Sequence, residues 1–258
     1  MDKDLVFVAS GGRTGTKFMG MHLSSMIEGS FSVHEPDINF GLFNRLTWEN
    51  VRHFGIYHML IGRLMGRTGA RMIGKSLLTG KMSLAEATRR IRKSREKYVQ
   101  RHPEQLIIEA NGQWSYVLPA LRAAFPESKI VCIARSEATW VRSWVRKGDR
   151  YTEKDTAGGT RINPALLGKI SEGEWNACSV EQKLKWEWNF IDNLLRDFSA
   201  QDTSGNTRLF EFEDLFFDDD RETHFAGLLA FISQFGDRKY AVNFDSALLD
   251  QRENATTA

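Results

Sequence analysis

Two clusters in this chain have the residue types and spacing to hold anions. The first is LVFVASGGRTGTKFM, residues 5–19. An apolar, partly β-branched run meets Gly11 and Gly12, then Arg13, Thr14, Gly15, Thr16 and Lys17, and an apolar stretch begins at Phe18. A strand, a glycine-rich turn and a helix start aim several backbone N–H groups at one point, and the helix dipole adds positive potential there. Arg13 contributes a rigid fork of donors and Lys17 a mobile ammonium. The loop is not a Walker A loop. Gly11 and Gly15 are too close together, Thr16 separates Gly15 from Lys17, and Phe18 stands where a magnesium-binding hydroxyl would be. The second cluster is Arg135, directly after the apolar run KIVCIA at 129–134, with Ser143 eight residues on. Open parallel sheets bind ligands at the C-terminal ends of their strands. An arginine there and a hydroxyl about two turns into the next helix could grip a second phosphate through charge-assisted bonds of roughly 1.5–3 kcal/mol each. Taken alone, the plainer reading is a strand-end arginine and a helix-surface serine.

These side chains need a frame. Strand patterns fall at Leu5–Ala9, 31–36, 106–110, 129–134 and 207–213, the second ended by Pro36 and the third following Pro103. The fourth is apolar nearly throughout, which suits a central parallel strand covered on both faces. Helical patterns lie over Thr16–Ile27, Ser83–Arg101, Trp114–Ala124, Glu137–Arg146, Val180–Phe198 and His224–Phe235. The alternation predicts an α/β fold with a parallel sheet of about five strands flanked by helices, in a single domain over 1–258. Two stretches break the alternation, 40–82 and 150–175. Both are rich in glycine and polar residues and are expected to form lids or acceptor-binding insertions.

Net charge is only +2, so the whole molecule is no general polyanion binder, and no nucleic-acid partner is expected. The charge is uneven along the chain. Residues 45–101 carry 14 Lys/Arg against three acids, whereas 201–258 carry five against 12. The basic, mostly helical segment at about 40–102 is expected to form the acceptor site, or else to be a solvated face. Two cysteines make neither a disulfide framework nor a zinc site, and Cys132 reads as a buried thiol. The six histidines show no metal-ligand spacing. No apolar run is long enough to span a bilayer, so a cytoplasmic protein is expected, although a lumenal enzyme trimmed of its anchor would read the same.

Together the two anion clusters resemble the sulfotransferases that use 3′-phosphoadenosine 5′-phosphosulfate (PAPS). In that family a first-strand loop of the form [KR]-[ST]-G-[ST]-[TS]-hydrophobic wraps the 5′-phosphosulfate. Here the loop reads RTGTKF, 13–18. The family also has an arginine at a later strand end and a serine eight residues beyond, both on the 3′-phosphate, as Arg135 and Ser143 stand here. AFPESKIVCIARS and LFEFEDLF are similar to its lead-in to that arginine and to a later strand end. The resemblance spans about residues 5–35 and 105–235 and leaves 40–100 unexplained. It implies a P-loop nucleotide-kinase-like sulfotransferase fold, PAPS as co-substrate and no metal. It places Gly12, Arg13, Thr14, Gly15, Thr16, Lys17 and Phe18 on the phosphosulfate. Lys17 departs from the small hydroxyl residue usual at its position.

Such an enzyme moves a sulfuryl group in line to a hydroxyl or amine of an acceptor, here expected to be a carbohydrate or small molecule. Arg13 would neutralise charge on the leaving phosphate. A general base is also needed. The family uses a His or a Glu, and His34 and Glu35 end the second strand. On a regular strand adjacent residues face opposite ways, so only one of the two is expected to face the sulfuryl group. Glu35, 22 residues after Arg13 as in the tyrosylprotein and several bacterial members, is favoured over His34. Glu109 and Asn111, ending the third strand, are further candidates to bind acceptor or bridge to Arg13. A kinase or other nucleotide phosphotransferase, and a non-catalytic nucleotide-binding module, are the competing readings.

Overall fold

The computed structural model describes residues 3–37, 45–65, 67–155 and 158–251. Five strands form one all-parallel sheet: β1 (Asp4–Ser10), β2 (Ser30–His34), β3 (Leu106–Ala110), β4 (Lys129–Ala134) and β5 (Thr207–Glu211). Their spatial order is β2-β3-β1-β4-β5. The connection after β1 runs toward one edge and that after β4 toward the other, so the sheet has a switch point between β1 and β4, where α/β folds open a crevice for ligands. Helix α1 (Thr16–Met26) follows β1. Between β2 and β3 lie α2 (Arg45–Phe54), α3 (Gly62–Leu64), α4 (Ala70–Leu78) and α5 (Leu84–Val99). Then come α6 (Leu118–Ala124), α7 (Glu137–Lys147), α8 (Glu172–Ala177), α9 (Val180–Gln201), α10 (Phe212–Phe216) and α11 (Arg221–Ile232).

The strand sequences explain the layering. β3 and β4 are buried along their whole length, and β1 is buried from Leu5 onward. With a period of two, Leu5, Phe7 and Ala9 pack to one face with Ile91, Leu121 and Leu195. Val6 and Val8 pack to the other with Leu23, Phe225 and Leu229. The continuous apolar runs are therefore the signature of strands covered on both sides. Cys132 is buried in β4, as expected, and burial pushes its thiol up to about 12.

Several expected boundaries shift. The fifth strand stops at Glu211, and the residues after it wind into α10, because Glu213 is drawn to the start of α7. The expected helix over Trp114–Ala124 is a 3-10 turn, Gly112–Tyr116, followed by α6 with Pro119 in its first turn. Pro119 lacks the N–H that a continuous helix would need from it. The stretch 40–82 breaks the strand–helix alternation, as expected, and is helical over most of its described length, in keeping with the expected mostly helical insertion; 38–44 and 66 lie outside the described residues.

A buried charge network ties this helical insertion to the sheet. Arg95 of α5 is 1% exposed and makes a two-pronged pair with Glu109 of β3, at 2.8 and 2.9 Å. Its third nitrogen reaches Asp37 Oδ2 at 3.2 Å, where His58 Nε2 also bonds at 2.9 Å. The guanidinium lies 4.8 Å from the Trp114 ring and 5.2 Å from Phe54. Burial raises the Asp37 carboxyl, but Arg95, the His58 hydrogen bond and Arg63 outweigh it and hold the group well below its usual range. Burial wins at Glu109 and pushes it up to about 7. Glu109, expected to meet acceptor or Arg13, is instead committed to Arg95, because an unpaired carboxylate at this depth would be far more costly.

Two expectations follow. Arg95→Leu leaves two carboxylates buried without their cation and should cost about 3–5 kcal/mol, read from urea unfolding midpoints. Asp37, with its depressed folded value, contributes stability that is complete above about pH 4 and lost as pH falls below it. Between pH 4 and 2 the wild type should therefore lose stability more steeply than Asp37→Asn. Gly20→Ala tests the α1–β2 contact separately. Its Cβ would sit 2.4 Å from the His34 backbone nitrogen, so overpacking of about 1–3 kcal/mol is expected by the same measurement.

Candidate active site

At the C-terminal edge of the sheet β1 runs into a turn whose backbone is locally left-handed at Gly12 (φ 74°), Arg13 (φ 56°) and Gly15 (φ 75°). Arg13 is a non-glycine residue in a conformation that costs energy, so the surroundings must hold it there. They do so through carbonyls. Trp140 Nε1 donates to Gly12 O at 3.0 Å, Arg135 donates to Arg13 O, and Gly12 N–H donates to Ser10 Oγ at 3.1 Å. All described peptides are trans, so a carbonyl held toward Trp140 turns the following N–H, that of Arg13, the opposite way. Helix α1 then starts at Thr16 with no side-chain cap, and its first intrahelical bond is Met19 N–H to Gly15 O at 2.9 Å. The helix mouth opens on a cleft of about 2170 Å³.

The sequence-predicted anion residues meet here. Arg13 Nε donates to Ser143 Oγ at 3.0 Å. Arg135 Nε donates to Thr139 Oγ1 at 3.1 Å, and its guanidinium lies 4.3 Å from the Phe212 ring. Burial pushes both guanidiniums down, Arg135 to about 10, with Asp149 opposing the shift at Arg13 and Glu213 opposing it at Arg135. Two half-buried cations in one cleft are a site that an anion would relieve. Thr14 is buried, and its hydroxyl has no hydrogen-bond partner among the described residues. Lys17 and Gly12 also line the cleft. Thr16 is buried in the first turn of α1. Phe18 lines the cleft too, but its ring is packed against Phe216 (5.4 Å) and Phe225 (5.9 Å). What Phe18 can offer an anion is its backbone N–H.

His34 and Glu35 both line the cleft. His34 is the last residue of β2, with Nδ1 3.2 Å from Ala110 O. Glu35 leaves the strand with φ 43°, and this left-handed residue breaks the alternation. Its charge acts on Arg71, which enters the same cleft from α4. Asn111, an acceptor candidate from sequence, is buried with Oδ1 accepting Gln113 N–H at 2.9 Å, which starts the 3-10 turn after β3. Among the described residues no group of three His, Cys, Asp or Glu is placed to hold a metal ion. No described helix is long and apolar enough to cross a membrane.

Several site residues were not found from sequence. Trp140 and Trp188 are hydrogen-bond donors to the site's backbone, Trp188 Nε1 reaching Arg135 O at 2.7 Å. Glu213 accepts from Ser136 and Thr139 and so anchors the first turn of α7 beside Arg135. Arg71, Arg150 and Arg161 face the cleft from segments that carried no motif.

No protein-family model and no curated protein matches the sequence. Among solved structures, the chain is similar to the "Sulfotransferase Domain from the Curacin Biosynthetic Pathway", with a TM-score of 0.49 and 15% identity over 99% of this chain and 81% of that one. It is also similar to the "Sulfotransferase Domain from the Synechococcus PCC 7002 Olefin Synthase", with a TM-score of 0.48 and 13% identity over 98% and 79%. The fold class stands on the sheet itself, a single α/β domain around five parallel strands. The functional reading stands on the residues of the cleft.

Trp140→Phe keeps the ring but removes the donor to Gly12 O. Stability should fall by about 1 kcal/mol in urea unfolding. Anion affinity measured by calorimetry should fall as well, since the turn loses a restraint on its left-handed residues.

Proposed function

We propose that this protein is a PAPS-dependent sulfotransferase acting on a hydroxyl or amine of a carbohydrate or small molecule. The observation that carries the reading is the convergence of Arg13, Arg135 and Ser143 beside the uncapped start of α1. A donor with phosphates at both its 3′ and 5′ positions needs two anion grips on one cleft. In this reading the turn from Gly12 to Phe18 takes the 5′-phosphosulfate, and Arg135 with Ser143 takes the 3′-phosphate. Glu35 accepts the proton of the attacking O–H or N–H. The acceptor atom forms its bond to sulfur as the sulfur–oxygen bond to the phosphate breaks, and that electron pair stays on the departing 3′,5′-bisphosphate (PAP). The group passes in line through a loose transition state, where positioning and charge dominate. Arg13 offsets the charge that grows on the leaving oxygens. His34 stands beside Glu35 as the other group able to take the proton.

Binding decides the donor. PAP should stabilise the protein by about 2.7 kcal/mol at ~100 times its dissociation constant, with no response to ATP and magnesium. Magnesium-dependent ATP binding with PAP no better would make the protein a nucleotide phosphotransferase instead. Arg135→Ala should weaken PAP far more than a nucleotide lacking the 3′-phosphate; equal losses would remove the 3′-phosphate role. Glu35→Gln should lower kcat by about 10²–10⁴ with PAP affinity unchanged. PAP binding with no turnover of any acceptor, and no effect of Glu35→Gln, would leave a binding module.

A further inference from the structure

Besides the phosphate grips, the cleft carries a second group of cations. Arg71, Arg150 and Arg161 line the cleft, from α4 and from the segment after α7. Two of the three have carboxylate partners. Arg161 makes a two-pronged pair with Asp155 at 2.8 and 3.0 Å, and Arg150 lies 3.0 Å from Glu187. Arg71 differs. Its Nε donates to Gln113 Oε1 at 2.9 Å and its NH1 to Thr160 Oγ1 at 3.3 Å, both neutral oxygens. Among the described residues no carboxylate lies within ion-pair distance of it. Burial and the neighbouring charges of Arg161 and Arg150 push its guanidinium down, with Tyr116 and Glu35 opposing.

Two further features point the same way. Arg150 is 7% exposed, stacked 3.5 Å from the Trp144 ring, and its Nε has no hydrogen-bond partner among the described residues. Arg71 itself sits in the first turn of α4, which opens on the cleft from Gly69 (φ 78°) with no side-chain cap. Among the described residues the N–H groups of Ala70, Arg71 and Met72 have no acceptor there; the first bond is Ile73 N–H to Gly69 O at 3.1 Å. An uncapped helix start and a guanidinium held only by neutral groups form a second anion site, distinct from that of Arg13 and Arg135.

We infer that Arg71 and the first turn of α4 seat an anionic group of the acceptor, a carboxylate, sulfate or phosphate, beside Glu35. The substrate class is then a hydroxyl or amine compound that already carries negative charge. A guanidinium there offsets the repulsion such an acceptor would meet from an anionic donor. The word acceptor rests on the sulfuryl-transfer reading; the anion site does not.

Sodium sulfate is the probe, titrated at fixed ionic strength against chloride into wild type, Arg135→Ala, Arg71→Gln and Arg71→Lys, with calorimetry as the readout and circular dichroism confirming each fold. Wild type should show two classes of site. Arg135→Ala should lose one, and Arg71→Gln should weaken the other about tenfold or more, with Arg71→Lys intermediate. Sulfate binding to Arg71→Gln indistinguishable from wild type would overturn the proposal. In turnover with PAPS, a hydroxycarboxylate should be preferred over its neutral amide by about tenfold in kcat/KM, and Arg71→Gln should erase that preference. Equal use of the two by wild type would also overturn it. If PAP fails to bind while the Arg71-dependent sulfate site persists, the sulfuryl-transfer reading falls and the anion site stands. If PAP binds but Arg71→Gln changes neither sulfate binding nor acceptor preference, the reverse holds.

Discussion

The orientation of the peptide groups after β1 is the constraint on which the rest of this structure depends. A turn can present N–H groups to a cleft only if its carbonyls are satisfied elsewhere, and here buried donors take them. The Trp140 indole holds Gly12 O, the Arg135 guanidinium holds Arg13 O, and the Trp188 indole in turn holds Arg135 O. Those three donors come from α7, the end of β4 and α9. The local conformation of a few residues after β1 therefore depends on the packing of elements that lie more than a hundred residues downstream. The left-handed Arg13 is kept in place by that packing and not by its own preference.

The insertion between β2 and β3 is held by a different interaction with the same logic. Arg95 brings one charge into the core and shares it between Glu109 and Asp37, with His58 and Arg63 completing Asp37's surroundings. A pair so deep gains little net stability over apolar packing, but loss of any member is expensive. It therefore fixes where α5 and the segment after β2 sit. That in turn fixes the wall of the cleft from which Arg63 and Arg71 project. The basic character of residues 45–101 thus divides. Arg95 is structural, Arg89 and Arg90 pair with Glu86 at the surface, and Arg71 faces the cleft.

A proposed transferase with two groups of cations in one cleft has a simple electrostatic consequence. In the proposed reaction donor and acceptor would both bring negative charge, and each would be met by guanidiniums and by helix N–H groups. Partial burial of those cations in the cleft opposes their charged forms, and bound anions would relieve that cost. In that reading Glu35, which lines the same cleft, takes the proton.

The sequence by itself determined the strands, because β1, β3 and β4 are runs too apolar to be anything but covered on both faces, and breakers such as Pro103 bound them. It also located the turn at 11–18 and the start of α1, since glycine spacing after a strand is a local signal. Arg135 and Ser143 were legible because a strand end and a two-turn helical offset are short-range geometry. Tertiary structure alone decided the rest. Glu109 reads as a site carboxylate in sequence, and only the arrival of Arg95 from α5 makes it structural. That Glu35 leaves β2 in a left-handed conformation, with both His34 and Glu35 lining the cleft, follows from no local pattern. Arg71, Arg150 and Arg161 carry no pattern of their own. Their meaning lies in which carboxylates the fold brings to them, and that pairing spans distances along the chain that no local rule encodes.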